Sequence, residues 1–161
     1  MKDQVELNET FPHPPQRLWA ALTESRLLGK WLMPTDFQPL IGFRFRLDRP
    51  SGSAIKGKVI EVEEGKLLAY TWNDEDEGFE SKVVWKLEPV DGGTRLHLEH
   101  IPVENPEVTC LVVDNYFNWM YALRHGLPGL LQILAHQPTG RSPRAPIVYL
   151  DETLNKEKIT K

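Results

Sequence analysis

The side chains best suited to chemistry in this sequence are its five histidines and its single cysteine. His97 and His100 lie three residues apart in an alternating stretch, so on a strand they point to opposite faces and cannot share a metal ion. The remaining histidines are scattered along the chain. Apolar neighbours on both sides indicate that Cys110 is an inert buried thiol. The spacing therefore predicts no metal site.

The sequence motifs of common catalytic and cofactor sites are also missing. The chain contains no GxSxG nucleophile elbow, no GxGxxG fingerprint and no Walker loop. The pair Gly92 and Gly93 predicts a tight hairpin turn and not a phosphate cradle. We therefore expect no cofactor, and the residues favour a binding protein over an enzyme.

His100 is the ionisable residue with the most functional interest. It shares its strand parity with Leu96 and Leu98, so we expect it on the buried face of a sheet. A histidine in that position is usually a neutral side chain whose polar atoms are satisfied by neighbours. The alternative is a polar anchor for a ligand or a general acid and base, because small shifts move histidine across neutral pH.

Aromatic residues are the second signal. The five tryptophans are Trp19, Trp31, Trp72, Trp85 and Trp119. Most of them belong to the core, since aromatic side chains dominate core energetics. If a sheet and a helix enclose a cavity, we expect it to suit a flat, apolar ligand with one polar group. The residues predicted to line it are Trp31, Phe45, Trp85, His100, Tyr116, Met120 and Leu123.

Composition limits the class of protein. The chain has 161 residues, 40% hydrophobic and 26% charged, which is typical of one globular domain. Its net charge of −4 argues against nucleic acid or an anionic membrane as the partner. No apolar run approaches the roughly 18 residues of a membrane span, and the N-terminus does not resemble a signal peptide. We expect a soluble, cytoplasmic protein without membrane insertion.

Hydrophobic periodicity predicts the elements that must position these side chains. Alternation over residues 4–11 predicts a strand, and two short helices follow it, the second capped by Thr23. Nearly everything from Pro39 to Ile101 then alternates as antiparallel strands. A long helix is predicted from about Asp114 to Ala135. Gly126 and Pro128 interrupt that helix, so we expect a kink near 124–128.

Several segments in this order resemble one family. They are RLWAALTESRLLGKWL (17–32), GKVIEVEEGKLLAYTW (57–72), SKVVWKLEP (81–89) and GGTRLHLEH (92–100). They are similar to the Hsp90 ATPase activator homologue branch of the START/Bet v 1-like SRPBCC superfamily. The resemblance implies an α+β helix-grip fold, in which a curved antiparallel sheet of about six or seven strands surrounds a long C-terminal helix. Two short helices follow the first strand.

The resemblance also implies a cavity between sheet and helix that binds a small hydrophobic molecule. Two alternatives stay open. One is an enzyme of the polyketide-cyclase kind, with His100 moving protons. The other is a co-chaperone-type interaction module, for which the acidic run 74–80 and its Phe79 would be a contact surface. The domain is predicted over residues 1–136. Residues 137–161 form an extension that docks on the domain or on a partner subunit, which suggests a homodimer.

Overall fold

The protein is described by a computed structural model over residues 4–78, 80–103 and 109–136. Residues up to Leu131 belong to one compact unit, which holds the sheet and the cavity. The strands are β1 (Val5–Phe11), β2 (Arg44–Asp48), β3 (Ala54–Glu63), β4 (Leu67–Asp74), β5 (Glu80–Val90) and β6 (Gly93–Pro102). The helices are α1 (Pro15–Thr23), α2 (Ser25–Trp31), α3 (Thr109–Tyr121), a π-helical turn (Ala122–Gly126) and α4 (Leu127–Ala135).

The six strands form one antiparallel sheet in the order β1-β6-β5-β4-β3-β2. Strands β2 to β6 lie side by side in chain order, and β1 lies at the edge of the sheet next to β6. The hairpin predicted between β5 and β6 is present, and Gly92 in its turn has a φ of 83°, which favours glycine. The predicted α+β fold, with two short helices between the first two strands and a long helix at the end, is confirmed.

Alternation along the strands separates a buried face from an outer face. On β6, Leu96, Leu98 and His100 are buried, as their parity predicts. His97 lies half-buried on the opposite face. The buried face packs against the helices, and removal of its apolar surface from water is the main source of stability. Fully buried core side chains include Val5, Leu18, Leu27, Ile55, Val59, Leu68, Trp85, Leu96, Leu98 and Leu123.

The two short helices follow the sequence prediction with one correction. Pro15 occupies the first turn of α1, where its missing N–H is no loss. Thr23 was expected to cap α2, but it is the last residue of α1, and its hydroxyl donates to the carbonyl of Trp19 at 2.7 Å. The residue that precedes α2 is Glu24, whose side chain makes no capping hydrogen bond. A threonine can satisfy its hydroxyl by bonding back along its own helix, and that option prevails here.

The long helix differs from the prediction in where it begins, and its interruption lies beside Gly126 and Pro128, where the sequence predicts one. It begins at Thr109, ahead of the expected start near Asp114. The interruption before Pro128 takes the form of a π-helical turn, in which the Leu127 N–H donates to the carbonyl of Ala122. Proline lacks an N–H and clashes with the carbonyl four residues before it. The wider turn accommodates that proline while helical structure continues on both sides.

No helix among the described residues is both long and apolar enough to cross a membrane. The predictions made for Phe79, for the side chain of Cys110 and for residues 137–161 fall outside the described residues.

Candidate functional site

A cavity of about 350 Å³ lies between α2, the α3 helix with its π-helical turn, and the buried face of β3 and β4. Its volume is within the range of about 300–1,000 Å³ that is common for small-molecule sites. The lining residues are Trp31, Leu32, Met33, Arg49, Ile55, Trp72, Asn115, Asn118, Trp119, Tyr121, Ala122 and Gly126. Most of these side chains are apolar, and the polar ones are few.

Three tryptophans from three different elements form the aromatic wall of the cavity. Trp31 is fixed because its indole N–H donates to the carbonyl of Ala21 at 2.9 Å, which ties α2 to α1. Trp72 and Trp119 pack against each other with ring centroids 5.3 Å apart. All three side chains are buried. Large aromatic rings packed against one another move little, so the three tryptophans form a rigid wall.

Arg49 is the only charged side chain among the described residues of the lining, and its charge is already matched. Its guanidinium forms a two-pronged ion pair with Asp74, with Nη1 2.9 Å from Oδ1. Nη1 also donates to the Ser53 hydroxyl at 3.2 Å. The hydrogen bond that Arg49 donates to Asp74 is the largest cause that raises the pKa of Arg49 above its usual value. Asp74 is buried, so the pair supports the cavity wall and leaves no free cation for a ligand.

The acidic run after β4 is engaged within the protein. Glu75 accepts a hydrogen bond of 2.7 Å from the Ala54 N–H, which lowers the pKa of that carboxyl. Glu77 accepts one of 3.0 Å from the side-chain amide of Asn115, a residue that lines the cavity. These contacts connect the run to the start of β3 and to α3.

His100 lies behind the aromatic wall in a directed chain of hydrogen bonds. The Trp119 indole N–H donates to His100 Nδ1 at 3.0 Å, so the ring proton is on Nε2 and faces the Ser81 hydroxyl at 2.7 Å. Ser81 in turn donates to the carbonyl of Trp72 at 3.2 Å. Burial lowers the pKa of His100 to about 4, against a smaller opposing effect of Asp74. The histidine is therefore neutral near pH 7, with both ring nitrogens bonded.

The sequence predicted seven residues for the cavity, and the structure distributes them around it. Trp31 is in the lining. His100 is one layer behind, in contact with Trp119. Tyr116 and Met120 lie half-buried on α3 and are not among the lining residues.

The other three are packed into the core beside the cavity. Trp85 is fully buried, and its indole N–H donates to the hydroxyl of Tyr70 at 2.8 Å. Phe45 packs edge-on against Phe37 and Tyr70, with ring centroids 5.1 and 5.0 Å apart. Leu123 is fully buried as well. These side chains support the wall from behind.

The sequence prediction omitted several lining residues, and one of them carried a usable signal. Trp72 has the same strand parity as Leu68 and Tyr70, which places it on the buried face with Trp85. Arg49 and Asn118 offered no such pattern, because a loop residue and an exposed helix residue are ordinary places for polar side chains.

Comparisons with known proteins agree with this architecture. The family model described as Activator of Hsp90 ATPase homolog 1-like protein matches residues 12–132. A search of the curated proteins found no match. A protein from Mesorhizobium loti is 29% identical with a TM-score of 0.72, covering 84% of this chain and 98% of that one. A protein from Rhodobacter sphaeroides is 30% identical with a TM-score of 0.69, covering 83% and 95%.

A third structure is similar in fold alone. DynU16, a protein from the dynemicin biosynthetic locus, is 22% identical with a TM-score of 0.71. This chain is covered over 84% of its length and spans 48% of DynU16. The family match extends from α1 into α4, and the sheet and helix order agree with it. The chain therefore belongs to the Activator of Hsp90 ATPase homolog 1-like family, a branch of the helix-grip SRPBCC superfamily.

Proposed function

We propose that this protein binds a small, largely apolar molecule in the cavity beneath α3. The observation that carries the proposal is the cavity itself, with about 350 Å³ of space walled by three buried tryptophans. Pockets of this size with a few polar groups among apolar ones are the usual form of small-molecule sites.

The charges around the cavity favour an uncharged ligand. Arg49 is already paired with Asp74, and further carboxylates of the acidic run lie next to that pair. An anion would therefore meet a matched arginine and additional negative charge.

The His100 network favours binding over proton transfer. A general acid or base needs a free ring nitrogen near the reacting group. Both nitrogens of His100 are bonded to Ser81 and Trp119, and neither partner titrates near neutral pH. The network fixes Trp119 in the cavity wall, which is a structural role for the histidine.

The test uses two fluorescent probes of similar size. N-phenyl-1-naphthylamine is uncharged, and 8-anilinonaphthalene-1-sulfonate carries a sulfonate on the same ring system. We expect saturable binding of the uncharged probe with quenching of tryptophan fluorescence, and weaker binding of the sulfonate. The variant Ala122→Phe places a ring in the cavity and should weaken binding of the uncharged probe at least tenfold.

The matched control is Ala135→Phe, which adds the same ring at an exposed position of α4. It should bind the uncharged probe as the wild type does. Equal affinity of Ala122→Phe and the wild type would show that the probe binds elsewhere, and the proposal would be wrong. Near-ultraviolet circular dichroism verifies that the Ala122→Phe variant is folded.

A further inference from the structure

A second group of functional side chains lies on the outer face of the sheet, where β1 pairs with β6. His97 Nε2 is 3.0 Å from a Glu99 carboxylate oxygen and 3.8 Å from one of Glu6. One ligating atom from each residue lies within 4.8 Å of the others. All three side chains are half-buried. This face is opposite the one that bears His100 and the cavity.

A hydrogen bond between His97 and Asn8 determines which ring nitrogen of His97 carries the proton in the neutral ring and which one is an acceptor. Nδ1 lies 2.9 Å from the amide oxygen of Asn8. An amide oxygen only accepts, so Nδ1 carries the proton in the neutral ring. Nε2 then presents a lone pair to Glu99 and Glu6. A cation between them would satisfy all three acceptors at once.

The backbone register gives a second reason to place a cation between these side chains. Glu6 and Glu99 are directly opposite each other in the β1–β6 ladder, and like charges in that position destabilise a strand pair. A bound cation converts the repulsion into a shared attraction. It also joins β1, at the edge of the six-stranded sheet, to the neighbouring strand β6.

We propose that Glu6, His97 and Glu99 form a binding site for a divalent transition metal ion, with Zn²⁺ the best match. Imidazole nitrogen and carboxylate oxygen are zinc ligands with bonds of about 2.0–2.2 Å, so tetrahedral ligand atoms lie about 3.3 Å apart. The observed separations of 3.0 and 3.8 Å bracket that value. Asn8 acts as the outer partner that orients a metal-bound histidine. A fourth position is left to solvent.

The test is calorimetric titration of the full chain with Zn²⁺ at pH 7.5. We expect one dominant site, with His97→Gln and Glu99→Gln each weakening the affinity at least tenfold. Asn8→Ala leaves all three ligands in place and should weaken the affinity about tenfold, because it removes only the orienting hydrogen bond. His125→Gln is the matched control, since this exposed histidine lies outside the cluster and should bind as the wild type does.

Three results would overturn the proposal. The first is unchanged affinity in His97→Gln. The second is an equal loss in His125→Gln, which would indicate adventitious binding to surface histidines. The third is an absence of Zn²⁺ binding to the wild-type chain. Circular dichroism of each variant verifies that the fold is retained, and Asn8→Ala provides the test if a ligand variant fails to fold.

Discussion

The buried, neutral His100 predicts a specific loss of stability in acid. Its pKa is about 4 in the folded protein and 6.5 in its ordinary state, so the unfolded chain binds a proton that the folded protein does not between these values. Stability therefore falls as the pH falls from about 6.5 towards 4. A difference of this size corresponds to about 3 kcal/mol in total, or about 1 kcal/mol per pH unit within the window.

The assay is urea unfolding of the wild type and of His100→Gln at pH 7, 6, 5 and 4.5, followed by tryptophan fluorescence. The variant is less stable at pH 7, but it lacks the titrating group. The free energy of unfolding should therefore fall more steeply with acid in the wild type, by about 1 kcal/mol per pH unit between pH 6 and 5. His13, whose pKa is also lowered by burial, is present in both proteins and cancels in the comparison.

Parallel slopes for the two proteins would refute this account of His100. If His100→Gln does not fold, NMR titration of the wild-type imidazole provides the same information. The ring should remain neutral, with its proton on Nε2, down to pH 5. Protonation above pH 6 would contradict both the burial argument and the direction of the hydrogen bonds.

Further predictions concern packing, the histidine network and the C-terminal residues. A Cβ at Gly57 would overlap the backbone carbonyl oxygen of Thr71 and lie 2.5 Å from the ring of Phe45, so Gly57→Ala should lower the free energy of unfolding by about 2 kcal/mol in urea titrations. Trp119→Phe leaves Nδ1 of His100 without its donor and should cost about 2 kcal/mol in the same assay. If residues 137–161 mediate a homodimer, their deletion should halve the mass measured by light scattering, and an unchanged mass would contradict that prediction.

The sequence predicted the order of elements and the faces of the strands well, because both depend on local patterns. Alternation around His100 placed it on the buried face. The bonded, neutral state that the sequence analysis favoured for it is the one in the structure. The hairpin at Gly92 followed from turn chemistry alone.

The lining of the cavity could not be predicted in the same way. Parity places both Trp72 and Trp85 on the buried face, but it does not say where along each strand the long helix crosses. In the structure Trp72 reaches the cavity, whereas Trp85 is covered by Trp31 and Trp119. That difference depends on tertiary packing and not on the residue types.

The cluster of Glu6, His97 and Glu99 could not be predicted for a related reason. The histidine near His97 in the sequence is His100, and strand geometry prevents these two from sharing a metal ion. The register that brings Glu6 opposite Glu99 pairs β1 with β6, the first and the last of the six strands along the chain. No local pattern encodes that pairing, although the position of Glu99 two residues after His97 on the same face was visible in the sequence.

The π-helical turn has a consequence for how this family can vary. Ala122 and Gly126, at its two ends, both line the cavity. A π turn takes up one more residue than an α turn without rotating the helix on either side, so a single-residue deletion there would leave Leu127 facing the core. The cavity wall would change while the rest of the domain kept its alignment. Insertions and deletions within 122–126 are thus a route by which the lining of the cavity could change without rebuilding the sheet.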